Sequence, residues 1–327
     1  MPRISGQSIY LAALVVGCIG AAVYMLGGDL PWGAASAQVR ASRRLDQIPF
    51  DGQQAFDYLD TICKIGTRVS GTEGMKQQQA MLVEHFEKLG AKVTRQEFQA
   101  RHPLDGSAVP MTNLIISWHP EREQRYLLCA HYDTRPYPDR DPANPRGTFV
   151  GANDGASGVA LLMELGKHMP KLAGRYGVDF VLFDGEELIY NETTDQYFLG
   201  SKHFAREYAI ERSQRYRRGV LFDMVADADL QIYLEGNSMR GLAGQLAGEI
   251  WGRAEKLGVR EFVRQVRHTV NDDHIALNEV AKIPTCDLID FDYPYWHTTQ
   301  DIPARCSPLS LAKVGWVIHE WLKVAVK

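Results

Sequence analysis

The chain has 327 residues, 45% of them hydrophobic and 23% charged, with 36 Lys and Arg against 40 Asp and Glu. That length suits one large α/β domain, the composition excludes wholesale disorder, and a net charge of −4 leaves no global basic field to hold a nucleic acid. Five cysteines without a C-x-x-C pair exclude a zinc ribbon and a disulfide-stapled scaffold.

No charged side chain stands between Arg3 and Asp29, and residues 9–26 form an almost unbroken apolar run. As a helix the run would span roughly 27 Å, close to the hydrocarbon core of a bilayer. Residues 1–27 therefore read as an uncleaved membrane anchor, in preference to a signal peptide cut near Ala35-Ser36-Ala37. Residues 28–45, rich in Gly, Ala and Ser, read as a linker, and residues 46–327 as the body of the protein. Arg40, Arg43 and Arg44 count toward a cytoplasmic body, but they sit well beyond the span, and the expected orientation is an extracytoplasmic body.

Along the body, Phe56, Leu59 and Ile62 predict a first helix that stops before Gly66, and residues 74–89 a second one closed by Gly90. Short apolar runs at 113–118, 126–130, 178–183, 220–222 and 283–289 have the length of buried strands. Helical stretches at 158–168 and 242–257 fall between them, and a last amphipathic helix covers about 309–324. The local basic run Arg212, Arg215, Arg217 and Arg218 reads as a solvated face. Helices alternating with all-apolar strands predict an α/β domain with a mostly parallel sheet covered by helices on both faces. Such sheets place their sites at the carboxyl ends of the strands.

The conspicuous polar residues fall at those ends. One strand runs into His131-Tyr132-Asp133, the next into Asp184-Gly185-Glu186-Glu187, a third into Asp223, and the last leads to Trp296-His297-Thr298. Asp154, in Gly151-Ala152-Asn153-Asp154-Gly155, opens a helix. Taken singly, a strand-end histidine is ordinarily structural, paired glutamates are ordinarily surface charge, and Gly-Ala-Asn-Asp-Gly could be a turn and cap. Taken together, two histidines and several carboxylates delivered to one buried sheet edge would be destabilising without a cation to offset the charge. His131, Asp154, Glu187, Asp223 and His297, with no thiolate among them, suit Zn²⁺ (one or two ions) with a position left open for chemistry. Asp133, two residues after His131, is placed to accept the other N–H of that imidazole. Glu186 precedes a ligand, so it can face the substrate while Glu187 faces the metal, which makes it the candidate general acid/base.

In this order, the motifs resemble those of the co-catalytic zinc aminopeptidases and of their relatives, the glutaminyl-peptide cyclotransferases. The resemblance runs from about residue 47 to the C-terminus and implies a three-layer α/β sandwich with a mixed, mostly parallel central sheet. In di-zinc members it implies that His131 and Asp223 hold one metal, Glu187 and His297 the other, with Asp154 bridging. In the cyclotransferases it implies one zinc on Asp154, Glu187 and His297. It also implies a cis bond between Asp154 and Gly155. Asp272, in Asn271-Asp272-Asp273-His274, matches a cyclotransferase aspartate tied by hydrogen bonds to the catalytic site; its plainer reading is a loop N-cap. Trp296, directly before His297, resembles the cyclotransferase pocket, where aminopeptidases more often have tyrosine. Two departures stand against it: the loop Leu188-Ile189-Tyr190-Asn191 lacks the pocket tryptophan of cyclotransferases, and their cysteine pair is absent. The expected activity is conversion of N-terminal glutamine to pyroglutamate on peptides. A metalloaminopeptidase is the alternative, and a receptor-like ectodomain is disfavoured because all five ligands are intact. Both enzymes would act on peptide N-termini and neither on nucleic acid.

Overall fold

The computed structural model describes residues 43–211 and 215–327. The expected anchor (1–27), residues 28–42 of the expected linker, and Arg212 of the basic run lie outside the described residues. Among the described residues no helix is long and apolar enough to cross a membrane.

Two helices open the domain. Helix α1 (Gly52–Lys64) is capped by Asp51, which accepts the Gln54 N–H at 2.9 Å, and it buries Ala55, Leu59 and Ile62 along one face. Helix α2 (Glu73–Lys88) starts behind Thr72 and buries Met75, Leu82 and Phe86. Strands β1 (Lys92–Arg101) and β2 (Ala108–Trp118) follow as an antiparallel hairpin. Then come β3 (Gln124–His131), α3 (Ser157–Gly166), β4 (Gly177–Phe183), α4 (Leu199–Glu211) and β5 (Arg215–Asp223). After β6 (Ile232–Leu234), α5 (Gly241–Leu257), β7 (Phe262–Val266), α6 (Asp273–Ala276) and β8 (Thr285–Ile289), the chain closes with α7 (Pro308–Ala325).

The main sheet has the order β1-β2-β4-β3-β5-β8. Pairings β4/β3, β3/β5 and β5/β8 are parallel, while β1/β2 and β2/β4 are antiparallel, so the sheet is mixed and mostly parallel as expected. Strands β6 and β7 form a small parallel pair of their own. Side chains alternate across β3: Tyr126, Leu128 and Ala130 enter the larger core with residues of α1, α2, α3, α5 and α7. Leu127 and Cys129 enter a smaller core with α4 and the turn after α6. Three layers result from that alternation. All seven residues of β4 are buried, which accounts for its continuous apolar run. Its one charge, Asp179, is held by fully buried Arg125 through two hydrogen bonds of 2.9 and 2.6 Å.

Strand β1 and helix α4 were not expected from the sequence, and neither were the short β6, β7 and α6. Strand β1 (Lys-Val-Thr-Arg-Gln-Glu-Phe-Gln-Ala-Arg) sits at the sheet edge with most side chains in solvent, so it carries no apolar run. Helix α4 buries only Gly200, Ser201, Phe204 and Ala205, too few for a strong helical period. The last strand begins at Thr285, not 283, because Pro284 has no N–H for a ladder and Ile283 packs in the smaller core. Arg215 and Arg217 are exposed at the start of β5, in keeping with a solvated basic face.

Candidate metal centre and active site

Strands β3, β4, β5 and β8 run in one direction, so their carboxyl ends share one sheet edge. His131 ends β3, Glu186 and Glu187 follow β4 by a short turn, and Asp223 ends β5. Asp154 stands just before α3, held by the fully buried Asp301, whose carboxylate accepts Asn153 N (2.8 Å) and Asp154 N (3.1 Å). Arg68, also buried, donates to the carbonyls of Val150 (2.7 Å) and Gly151 (2.9 Å) and fixes the start of the same loop. His297 lies beyond β8 on a strap with left-handed backbone (φ 55°), and Met224, directly after Asp223, has φ 48°. Such conformations cost a non-glycine residue about 1–3 kcal/mol and persist where the surroundings over-determine them.

All five expected ligands converge. His131 Nε2 is 3.2 Å from Asp154 Oδ1 and 3.3 Å from Asp223 Oδ1. On the other side His297 Nε2 is 3.5 Å from Asp154 Oδ2 and 2.8 Å from Glu187 Oε1. Asp154 thus gives one oxygen to each of two triads, His131–Asp154–Asp223 and Asp154–Glu187–His297, whose donor atoms lie within 4.8 Å of one another.

The charges do not balance by themselves. Burial, and then the charge of Glu187, pushes Asp154 up to about 7. Glu187 is pulled down to about 2, because His297 and Arg135 outweigh its burial. Burial pulls His297 down, yet Glu187 and Asp139 raise it to about 9. Burial likewise opposes the charge of His131, and Asp133, Asp154 and Asp223 outweigh it. Asp154 Oδ2, Glu187 Oε2 and His297 Nε2 are buried without a hydrogen-bond partner. Unpaired carboxylate and imidazole atoms facing one small volume are costly as they stand and are the donor set of a divalent cation. The residues therefore fit a metal.

The cis bond expected after Asp154 is not formed: among the described residues every peptide bond is trans. Gly155 turns the chain instead, at φ 89°, a conformation open to glycine at no steric cost. A Cβ there would meet Asp133 O at 2.5 Å and His131 Cε1 at 3.3 Å, so the turn seats His131 as well as Asp154. Asp133 also differs from expectation. It is 3.7 Å from His131 Nδ1, beyond hydrogen-bond reach, and its two oxygens accept Glu186 N (3.1 Å) and Glu187 N (3.0 Å). Its observed part is to hold the turn that carries both glutamates.

A cavity of about 380 Å³ opens on the centre, lined among others by Glu186, Glu187, Asp223, Asp272, Trp296 and His297. Burial, and then the charge of Glu187, raises the Glu186 carboxyl well above its usual range. Asp272 is an N-cap, accepting Asp273 N at 2.5 Å, and also lines the cavity with its other oxygen unpaired. Burial, and then the charge of Asp223, raises it to about 6. Trp296 lies between Phe291 (4.8 Å) and the Arg140 guanidinium (4.0 Å), against the His297 ring (4.1 Å). Thr298 and Thr299 stabilise the strap: Thr298 Oγ1 donates to Tyr295 O, and Thr299 donates to Asp141 through both its amide and its hydroxyl. The four described cysteines are free and buried.

The model of Peptidase family M28 matches residues 113–322, a span that contains every one of these ligands. The chain belongs to that family. Among solved structures it is similar to the glutaminyl cyclase of Fimbriiglobus ruber, at 44% identity and a TM-score of 0.81 over 84% of this chain and 96% of that one. It is also similar to a leucine aminopeptidase precursor from Bacteroides thetaiotaomicron, at 31% identity and a TM-score of 0.79 over 84% and 97% of the two chains. The glutaminyl-peptide cyclotransferase of Drosophila melanogaster is 24% identical over 257 residues, 72% of this chain and 70% of that protein. Relatives within M28 thus include both enzyme types expected from the motifs, with glutaminyl cyclases well represented. Sequence reasoning missed Arg68, Arg135, Asp139 and Asp301, because none carries a motif: each is recognised only by what it touches.

Proposed function

We propose that the chain is a zinc-dependent glutaminyl-peptide cyclotransferase that converts the N-terminal glutamine of a peptide to pyroglutamate with release of ammonia. The observation that carries this reading is the Glu186 carboxyl on the same 380 Å³ cavity as Trp296 and the Asp154–Glu187–His297 triad. The likeness to the Fimbriiglobus ruber glutaminyl cyclase supports it. Asp154, Glu187 and His297 would hold the zinc, and the ion when bound polarises the side-chain amide of the substrate.

The rest of the reaction falls to the chain itself. The α-amine of the substrate attacks its own side-chain amide carbon, a carbon–nitrogen bond forms, and the bond to the amide nitrogen breaks. Glu186 takes a proton from the attacking amine and returns one to the departing ammonia. A group that must both take and return a proton works best above the ordinary carboxylate range, toward the working pH, and burial and then the charge of Glu187 shift Glu186 in that direction. The indole of Trp296 walls the cavity against bulk water, and no water is consumed. Because both reacting groups belong to one residue, their proximity replaces a second reactant.

A second reading, metalloaminopeptidase, is favoured by one observation: the His131–Asp154–Asp223 triad is complete and compact, as a second metal would require. Mass spectrometry of a peptide that begins with glutamine separates the two. The cyclotransferase product loses ammonia and keeps its length, whereas release of a free N-terminal residue would assign the chain to the aminopeptidases. Action on secreted peptides, with residues 1–27 as a membrane anchor and the catalytic domain outside the cytoplasm, belongs to the same proposal.

A further inference from the structure

The segment that follows Arg135 is rich in proline and aspartate, and the reaction just described gives it no part. In the structure it runs beside the His297 strap and is stitched to it. Arg140 N donates to His297 O at 3.1 Å, and Asp141 accepts the Thr299 amide at 2.9 Å. Asp139 directly precedes these two ties. Its Oδ1 is 3.2 Å from His297 Nδ1, the ring nitrogen that faces away from the centre, although the N–H is not aligned on it. Its Oδ2 accepts two hydrogen bonds from Arg135, from Nε at 3.0 Å and Nη2 at 2.9 Å. The remaining arm of the same guanidinium, Nη1, donates to Glu187 Oε1 at 3.1 Å, and that oxygen is 2.8 Å from His297 Nε2. Asp139, Arg135, Glu187 and His297 close a ring.

We infer that Asp139 is the positioning residue of His297, and that Arg135, by gripping Asp139 and Glu187 at once, makes Asp154–Glu187–His297 the pre-set half of the centre. A carboxylate on the outer nitrogen of a metal-bound imidazole fixes the tautomer and the ring orientation, and its loss usually weakens metal binding ten- to a hundredfold. Arg135 itself does not repel a cation strongly, because Asp139 neutralises it. The other half is braced less closely. Neither imidazole has an aligned hydrogen bond on Nδ1, but the carboxylate nearest His131 Nδ1, Asp133, stands off at 3.7 Å and has both oxygens occupied by backbone amides. The inference rests on the zinc reading above, which already puts an ion on Asp154, Glu187 and His297, and adds which residues pre-set that half.

Zinc affinity measured by competition with a chromophoric chelator, on wild type, Asp139→Ala and Asp139→Asn, tests it without reference to turnover. Asp139→Ala is expected to weaken the tighter zinc ten- to a hundredfold, and Asp139→Asn, whose carbonyl can still accept from Nδ1–H, severalfold. The metal-free proteins should unfold at the wild-type temperature, and cobalt loaded into the apoprotein should change its visible spectrum in Asp139→Ala. Wild-type affinity and an unchanged cobalt spectrum in Asp139→Ala would overturn the inference. So would an equal loss in both variants matched by a fall in metal-free stability, because the residue would then only hold the loop. If Asp139→Ala does not fold, unchanged affinity in Asp139→Asn overturns it. A wild-type chain that takes up no zinc would sink the metal centre itself, and is told apart because the variants then have nothing to lose.

Discussion

Adjacent glutamates after β4 divide the work of the proposed reaction between them, and they do so because their surroundings differ. Glu187 faces His297 and Arg135 and is held ionised, while Glu186 faces the cavity and keeps its proton more readily. Glu186→Gln preserves shape and removes the proton carrier, so zinc content should stay at the wild-type level while turnover falls about a hundredfold or more. Full activity in that variant would move the acid/base role to another group on the cavity wall, with Asp272 first in line. The two histidines should also separate. With a single zinc on Asp154, Glu187 and His297, His297→Ala abolishes cyclisation and zinc retention, whereas His131→Ala is tolerated far better. Equal sensitivity, measured as kcat/KM, would instead mean two working metals. The five candidate ligands and Glu186 were legible in the sequence, because strand-end position and residue type together single them out. Asp139 and Arg135 were not, since a charged residue in a proline-rich segment has the same appearance whether it braces a ligand or faces water.

Among the elements, the parallel block β4-β3-β5-β8 has a polar tie at its amino-terminal end and the proposed centre at the other. Arg125 and Asp179 are both fully buried, and Tyr216 adds a hydrogen bond of 2.6 Å to Asp179. Removing one member of a buried pair leaves an unpaired charge and costs about 3–5 kcal/mol. Asp179→Ala should therefore lower the unfolding temperature sharply while the folded fraction, titrated with chelator, keeps wild-type zinc affinity. Weakened zinc binding in the folded fraction would show that the two ends of the sheet are coupled. Legibility followed burial here too. β3 and β4 are buried nearly throughout and were predicted close to their true bounds, and β5 and β8 were recognised from their buried apolar stretches. Strand β1, exposed at the edge, and α4, with a thin apolar face, gave no comparable period.

For the whole molecule, an ion that binds only the folded state should stabilise it by mass action. Zinc at a hundredfold excess over its dissociation constant contributes about 2.7 kcal/mol, which should raise the unfolding temperature by roughly 5 °C over the chelator-treated protein. Identical melting curves with zinc and with chelator would argue against a bound ion. The three-layer architecture was readable because helical and strand periods alternate, whereas the strand order was not, because it depends on pairings between distant segments. That order has a kinetic side. His131, Asp154, Glu187, Asp223 and His297 are scattered over most of the domain and meet only when β3, β4, β5 and the strap after β8 have all docked. Contacts so distant along the chain form late, and an interaction missing from the folding transition state slows unfolding without speeding folding. A centre assembled in this way cannot nucleate the fold around an ion. It acts instead as a final latch, closing only on chains whose sheet is already complete.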